Sequence, residues 1–185
     1  MISVLLMGIS LSMDAFAVAV TNAVTLRPFR TSHALWMAAY FGAFQCLMPL
    51  AGALLGSTVS GYITAVGPYI SFVLLGYIGV RMIVEAVKAE DESGETADLG
   101  HRRLLALAVA TSIDALAVGV TFAFSPPAPG IWLSCALIGC TTFVIVLLGA
   151  LLGSRFQLRH PRRAGILGGA VLLFLGLRIL LGTML

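Results

Sequence analysis

Charged residues are scarce in this chain of 185 residues, of which 10% are charged and 59% are hydrophobic. A soluble domain usually carries about 25% charged residues, so this chain has too little polar surface to cover a water-soluble globule. Its three cysteines, Cys46, Cys135 and Cys140, lie in apolar segments without CxxC spacing. We interpret them as small buried hydrophobic residues rather than as disulfide partners or metal ligands. These absences indicate a polytopic membrane protein.

Motifs of soluble enzymes are also missing. The sequence contains no GxSxG, HExxH or Walker-type phosphate loop and no long nucleotide-binding domain. The histidines His33, His101 and His160 fall in polar segments and do not form a metal-ligand spacing. The chain is therefore predicted not to be an enzyme and to bind no cofactor. Neither a nucleotide nor a nucleic acid is expected as a partner.

Long apolar runs, by contrast, fill most of the chain. A helix that spans a bilayer needs about 20 apolar residues, and six segments meet this length: 2–24, 34–57, 67–86, 104–124, 131–154 and 164–184. No basic residue precedes the first segment, unlike the start of a cleavable signal peptide, so we expect this helix to be retained. The fold is therefore predicted to be all-α, with six transmembrane helices.

The placement of basic residues predicts the orientation of these helices. All nine Lys and Arg residues of the predicted connections lie in the first, third and fifth connections. Because odd-numbered connections share one side of the membrane, the positive-inside rule places that side in the cytoplasm. Loops 25–33, 87–103 and 155–163 are therefore predicted to be cytoplasmic, with both termini outside. Loop 87–103 is acidic and is interpreted as a solvated linker.

The two halves of the chain repeat each other. LSMDAFAVAV at 11–20 returns as TSIDALAVGV at 111–120, an offset of 100 residues. GALLGS occurs at both 52–57 and 149–154, an offset of 97. At the same offset, the LGYIGVR that ends at Arg81 resembles the LLFLGLR that ends at Arg178. Each half therefore has three helices in the same order.

Because three is an odd number, the second half enters the membrane upside down relative to the first. The sequence thus predicts an inverted-topology repeat, a design that places the substrate near the midplane where the halves meet. Residues 1–86 form the first predicted repeat, 87–103 the linker and 104–185 the second repeat. We expect them to make one integrated membrane domain.

Asp14 and Asp114 lie near the middle of the first helix of each half. A charged side chain at the bilayer centre costs roughly 2.5–3.5 kcal/mol on insertion scales. Two such costs at matching positions favour a binding site. The alternative is that each Asp is protonated and only bonds a neighbouring helix. Carboxylates suit Mg, Ca or Mn, and protons could neutralise the same pair, which suggests cation/proton exchange.

Other polar side chains recur near the same depth. Gln45 and its counterpart Thr142 could complete a coordination sphere or could form interhelical hydrogen bonds. Ser12 and Ser112 lie two residues before each Asp, on the opposite side of a regular helix, so we expect them to bond their own backbone. The predicted metal ligands are Asp14, Asp114, Gln45 and Thr142.

Two further patterns concern packing. Arg178 approaches the outer end of the last helix, where a long cationic side chain can reach the interface. The spacings Gly52…Gly56 and Gly149…Gly153 are GxxxG motifs. Such motifs allow close helix contact, and we favour packing within one chain over a dimer. Either a monomer or a homodimer remains open.

The chain resembles the MntP family of bacterial manganese efflux pumps. The resemblance covers essentially the whole length and rests on SMDAFAVA, ATSIDALAVGV, FGAFQCLMPLAG at 41–52 and the double repeat. It implies an exporter in the bacterial plasma (inner) membrane that lowers cytoplasmic Mn²⁺, with Asp14 and Asp114 as its intramembrane acids. Some members have Glu where this chain has Gln45. A metal site here would then have one negative charge fewer.

Two other functions are compatible with the residues alone. An exporter of small organic solutes, such as amino acids, would work without regard to metal. A helical scaffold that transports nothing would tolerate Asp14→Asn and Asp114→Asn. The favoured function has two expected partners. One is a divalent metal ion as substrate, with Mn²⁺ as the expected ion, and the other is the lipid bilayer.

Overall fold

The computed structural model describes residues 2–26, 28–88, 100–155 and 161–184, and all regular structure within these ranges is helical. The all-α prediction is thereby confirmed. The helices are α1 (Ile2–Thr25), α2 (Thr31–Lys88), α3 (His101–Thr111), α4 (Ile113–Phe124), α5 (Ile131–Arg155) and α6 (Pro161–Met184). Most of the predicted acidic linker and part of the predicted loop 155–163 lie outside the described residues.

Helix α2 consists of two arms that meet at Gly56. This residue has φ 42° and ψ −128°, whereas the residues on both sides are helical. Glycine adopts a positive φ at little cost because it has no Cβ. The prediction of a separate connection between segments 34–57 and 67–86 is wrong, because one glycine suffices to redirect the chain and the helix resumes directly after it.

The fourth predicted helix is divided at Ser112, where α3 and α4 meet at 45°. The Thr111 hydroxyl donates to the Leu107 carbonyl at 3.0 Å, and the Ser112 hydroxyl donates to the Ala108 carbonyl at 2.5 Å. Such bonds compete with the backbone ladder and bend helices. The position equivalent to Thr111 in the first half is Leu11, and there α1 continues unbroken. The prediction of one regular helix was therefore wrong for the second half.

Several of these helices are suited to a bilayer. In the described ranges, Ile2–Thr25, Thr31–Gly56 and Ile131–Arg155 are long and apolar enough to span it, and the bent pair α3–α4 can form a fourth span. The second arm of α2 and helix α6 contain shorter apolar segments, Phe72–Val84 and Ile166–Leu181. The chain is a helical membrane protein, and its described residues contain three to four candidate spans. Six spans stay a prediction.

Helices of one half pack mainly on helices of the other half. Helix α1 packs on α5, and α2 packs on α4, α5 and α6. A Cβ atom built at Gly52 would lie 2.2 Å from the Leu116 carbonyl oxygen, and one built at Gly149 would lie 2.6 Å from the Phe16 ring. The two contacts are counterparts of each other, because Gly52 is equivalent to Gly149 and Leu116 is equivalent to Phe16. The prediction that these glycines pack within one chain is confirmed.

The same reciprocity holds where equivalent helices meet. A Cβ atom at Gly42 would lie 3.0 Å from Phe143 Cβ, and one at Gly139 would lie 2.7 Å from Cys46 Cβ. Residues 42 and 139 are equivalent at the offset of 97, and so are 46 and 143. These contacts between the halves therefore occur in reciprocal pairs of equivalent residues.

The reciprocal contacts between α6 and the second arm of α2 have equal distances. A Cβ atom at Gly79 would lie 3.3 Å from Leu172 Cβ, and one at Gly176 would lie 3.3 Å from Leu75 Cβ. Leu75 and Leu172 are both fully buried. The sequence repeat is thus matched by a repeat in the packing.

Candidate metal site

Asp14 lies half way along α1 and faces α6. Its side chain is 24% exposed, and its Oδ1 atom is 3.8 Å from Nη1 of Arg178, whose side chain is 68% exposed. The sequence analysis assigned Arg178 to the interface and missed this pairing. The sequence did contain a signal for this pairing. A cation inside an apolar helix needs a nearby anion, and few acids occur in the predicted spans.

Asp114 lies in the first turn of α4, directly after the bend. Its Oδ1 atom accepts a hydrogen bond of 2.8 Å from the Ala115 backbone N–H. The N-terminus of a helix carries partial positive charge, which favours a carboxylate at this position. The residue is exposed in the protein without lipid. Asp114 lies close enough to Asp14 for the two negative charges to repel each other.

Gln45 and Thr142 contact α1 just before Asp14. Gln45 is 1% exposed, and its Nε2 donates to the Leu11 carbonyl at 3.0 Å. Its Oε1 is buried without a hydrogen-bond partner among the described residues. Thr142 is fully buried, and its Oγ1 lies 3.2 Å from the Ser12 hydroxyl. These three side chains form the amide–hydroxyl cluster: Ser12, Gln45 and Thr142.

The prediction that Ser12 bonds its own backbone is confirmed, because its hydroxyl donates to the Gly8 carbonyl. The sequence did not indicate that the same hydroxyl also contacts Thr142. The α1 face that packs on α5 contains Gly8 and Ser12, and a Cβ atom at Gly8 would lie 3.4 Å from both Ile138 Cα and Thr141 Cβ. Thr142 follows on the same α5 segment and thus meets Ser12 without any unwinding of α1. Asp14, two residues later, points to another neighbour, α6.

The predicted ligands thus fall into two sets. Asp14 and Asp114 form the carboxylate pair. Gln45 of α2 and Thr142 of α5 belong to the amide–hydroxyl cluster, which contacts α1 at Leu11 and Ser12. Within the described ranges, no three His, Cys, Asp or Glu side chains group closely enough to hold a metal ion. A metal bound here would therefore take its remaining ligands from amides, hydroxyls, backbone carbonyls or water, all of which are hard oxygen donors.

Comparisons with known proteins agree with the resemblance noted above. Residues 28–180 match a family model, Mntp, described as "Putative manganese efflux pump". A protein named "Putative manganese efflux pump MntP" from Methanosarcina acetivorans is 47% identical over 180 residues, covering 97% of this chain and 95% of the relative. A relative of the same name from Bifidobacterium adolescentis is 44% identical over 181 residues, with the same coverage of 97% and 95%.

A third relative of that name, from Methanosphaera stadtmanae, is 40% identical over 183 residues, which are 98% of this chain and 99% of the relative. No solved structure matches the chain. Matches of this identity extend over nearly the full length of both proteins and include both Asp-containing halves. The chain therefore belongs to the MntP family.

Proposed function

We propose that this protein exports Mn²⁺ from the cytoplasm across the plasma membrane. The proposal is supported by relatives that are named manganese efflux pumps. The observation that carries it is that Asp14 and Asp114, equivalent acids of the two halves, lie in apolar helices within electrostatic range of each other. A divalent cation between them would remove the repulsion and offset the cost of two negative charges within a bilayer. Mn²⁺ prefers such oxygen ligands.

The amide–hydroxyl cluster supplies further oxygen ligands in this proposal. The hydroxyls of Ser12 and Thr142 donate to the carbonyls of Gly8 and Ile138 on their own helices. Their lone pairs are therefore left for other partners, although the two oxygens lie side by side. A buried acceptor without a partner costs about 1–3 kcal/mol, and the Oε1 atom of Gln45 has no partner within the part of the chain that the structure describes. A cation that reaches Oε1 of Gln45 would satisfy this acceptor.

The membrane arrangement is part of the same proposal. Six spans in two inverted repeats, 1–86 and 104–185, would place the carboxylate pair near the midplane. The reciprocal contacts between the halves support this arrangement, and the basic residues favour cytoplasmic loops at 25–33, 87–103 and 155–163 with both termini outside. Rocking of one half against the other would then expose the pair to each side in turn.

Uptake of Mn²⁺ into inverted vesicles tests the function. Vesicles that contain the protein are expected to accumulate Mn²⁺ faster than empty ones, and an imposed pH gradient is expected to change the rate if protons are exchanged. A series of Mn²⁺, Fe²⁺, Cd²⁺ and Ca²⁺ would establish selectivity. Amino-acid export that is indifferent to metal, or no transport at all, would contradict the proposal.

Gln45→Glu tests the amide–hydroxyl cluster. The substitution adds a carboxylate oxygen to a predicted cation path, so we expect half-maximal Mn²⁺ uptake at a concentration about tenfold lower, since ligand charge sets affinity. Gln45→Leu removes the oxygen and should weaken uptake. A matched control is Asn22→Asp, which makes the same change at a buried amide whose Nδ2 bonds the Val18 carbonyl of its own helix. An unchanged concentration dependence in Gln45→Glu would exclude the cluster from the path.

A further inference from the structure

Arg178 lies inside the apolar segment Ile166–Leu181 of α6, yet its guanidinium approaches the Asp14 carboxylate. The Nη1–Oδ1 distance of 3.8 Å exceeds that of a direct N–H···O hydrogen bond, about 2.7–3.2 Å. Both side chains are at least partly exposed, and Arg178 is mostly so. The pair is therefore a loose electrostatic contact, and either partner can leave it without losing a hydrogen bond.

The charges near the site explain why such a contact is useful. A carrier that has released a divalent cation keeps two carboxylates in apolar surroundings, and this is unfavourable for its return across the membrane. An arginine side chain stays protonated in proteins, so Arg178 provides a permanent positive charge beside Asp14. Asp114 is stabilised separately by the N-terminus of α4. The empty site is thus compensated by the protein itself.

We propose that Arg178 is a built-in substitute for the transported cation. Its guanidinium neutralises Asp14 while the site is empty and moves away when a divalent metal binds to the same carboxylate. The inference rests on the proposed function and extends it by assigning the residue that permits the return of the empty carrier. Competition by Arg178 also lowers metal affinity and promotes release on the far side.

Transport by reconstituted vesicles can test the role of Arg178 in the return of the empty carrier. Net Mn²⁺ uptake requires this return, whereas Mn²⁺–Mn²⁺ exchange does not. In Arg178→Gln we expect net uptake to fall about tenfold while isotopic exchange stays near the wild-type rate. Mn²⁺ binding in detergent should tighten about tenfold because the competing charge is gone. Arg178→Lys keeps a cation and should retain net uptake. Arg102→Gln, at an exposed position at the start of α3, is the matched control for lost charge.

Equal loss of net uptake and exchange in Arg178→Gln, or no change in either, would overturn the inference. If Arg178→Gln does not accumulate in the membrane, Arg178→Lys decides, since loss of net uptake despite the retained cation would contradict the substitute role. Absence of both activities from the wild-type protein would instead overturn the proposed function, and this inference with it.

Discussion

Asp14→Asn and Asp114→Asn are each expected to lower Mn²⁺ export by about 100-fold or more while the protein still inserts. Asparagine has nearly the same shape as aspartate but removes one of the two negative charges proposed to balance the metal. Loss of groups that only orient metal ligands already costs about 10–100-fold, so loss of a ligand charge should cost at least as much. The measurement is manganese resistance of an export-deficient cell, normalised to the amount of protein in its membrane.

A charge-matched control is available in the acidic linker. Asp91→Asn removes the same charge from a segment predicted to be solvated, and resistance should stay at the wild-type level. Preserved resistance in both single variants of the carboxylate pair, at normal protein levels, would rule out the proposed site. It would also favour a scaffold function, which needs neither acid.

Gly119→Ala and Gly52→Ala are expected to prevent close packing of α2 on α4, the second large effect. An added Cβ atom would lie 2.0 Å from the Pro49 carbonyl oxygen at Gly119 and 2.2 Å from the Leu116 carbonyl oxygen at Gly52. Because both obstacles are backbone atoms, no side chain can move aside. Overpacking typically costs about 1–3 kcal/mol, occasionally more, and these sites belong at the upper end.

Thermal unfolding in detergent measures this effect. For a chain of this size each kcal/mol lowers Tm by about 2–4 °C, so a decrease of about 6 °C or more is expected, or failure to accumulate. Gly76→Ala is the matched control because a Cβ atom there would have nothing within 4 Å. A Tm of Gly119→Ala equal to that of Gly76→Ala would show that the two helices are not in close contact.

Repetition is what made much of this structure predictable from sequence. The paired phrases around Asp14 and Asp114 identified equivalent helices, and the reciprocal contacts of Gly52 and Gly149 follow the same correspondence. Apolar length located the helices to within a few residues at most ends. Neither the repeated phrases nor the length of the apolar segments depends on which faces of the helices meet.

The features that the sequence missed depend on direction. Helical spacing placed Ser12 on a different face of α1 from Asp14, as observed, but only the docking of α5 determines that Thr142 lies beside Ser12. The bend at Ser112 arises from two adjacent hydroxyls, whose effect on the backbone a hydropathy pattern does not register. Hydropathy shows that Arg178 lies in an apolar segment, but it does not show that this side chain approaches Asp14 on another helix.

Anomalous diffraction at the manganese edge, from crystals loaded with Mn²⁺, would examine the proposed site directly. The account predicts a manganese peak within coordination distance of the carboxylates of both Asp14 and Asp114, with the Arg178 guanidinium moved away. A peak elsewhere in the protein, with these two carboxylates unoccupied, would contradict it.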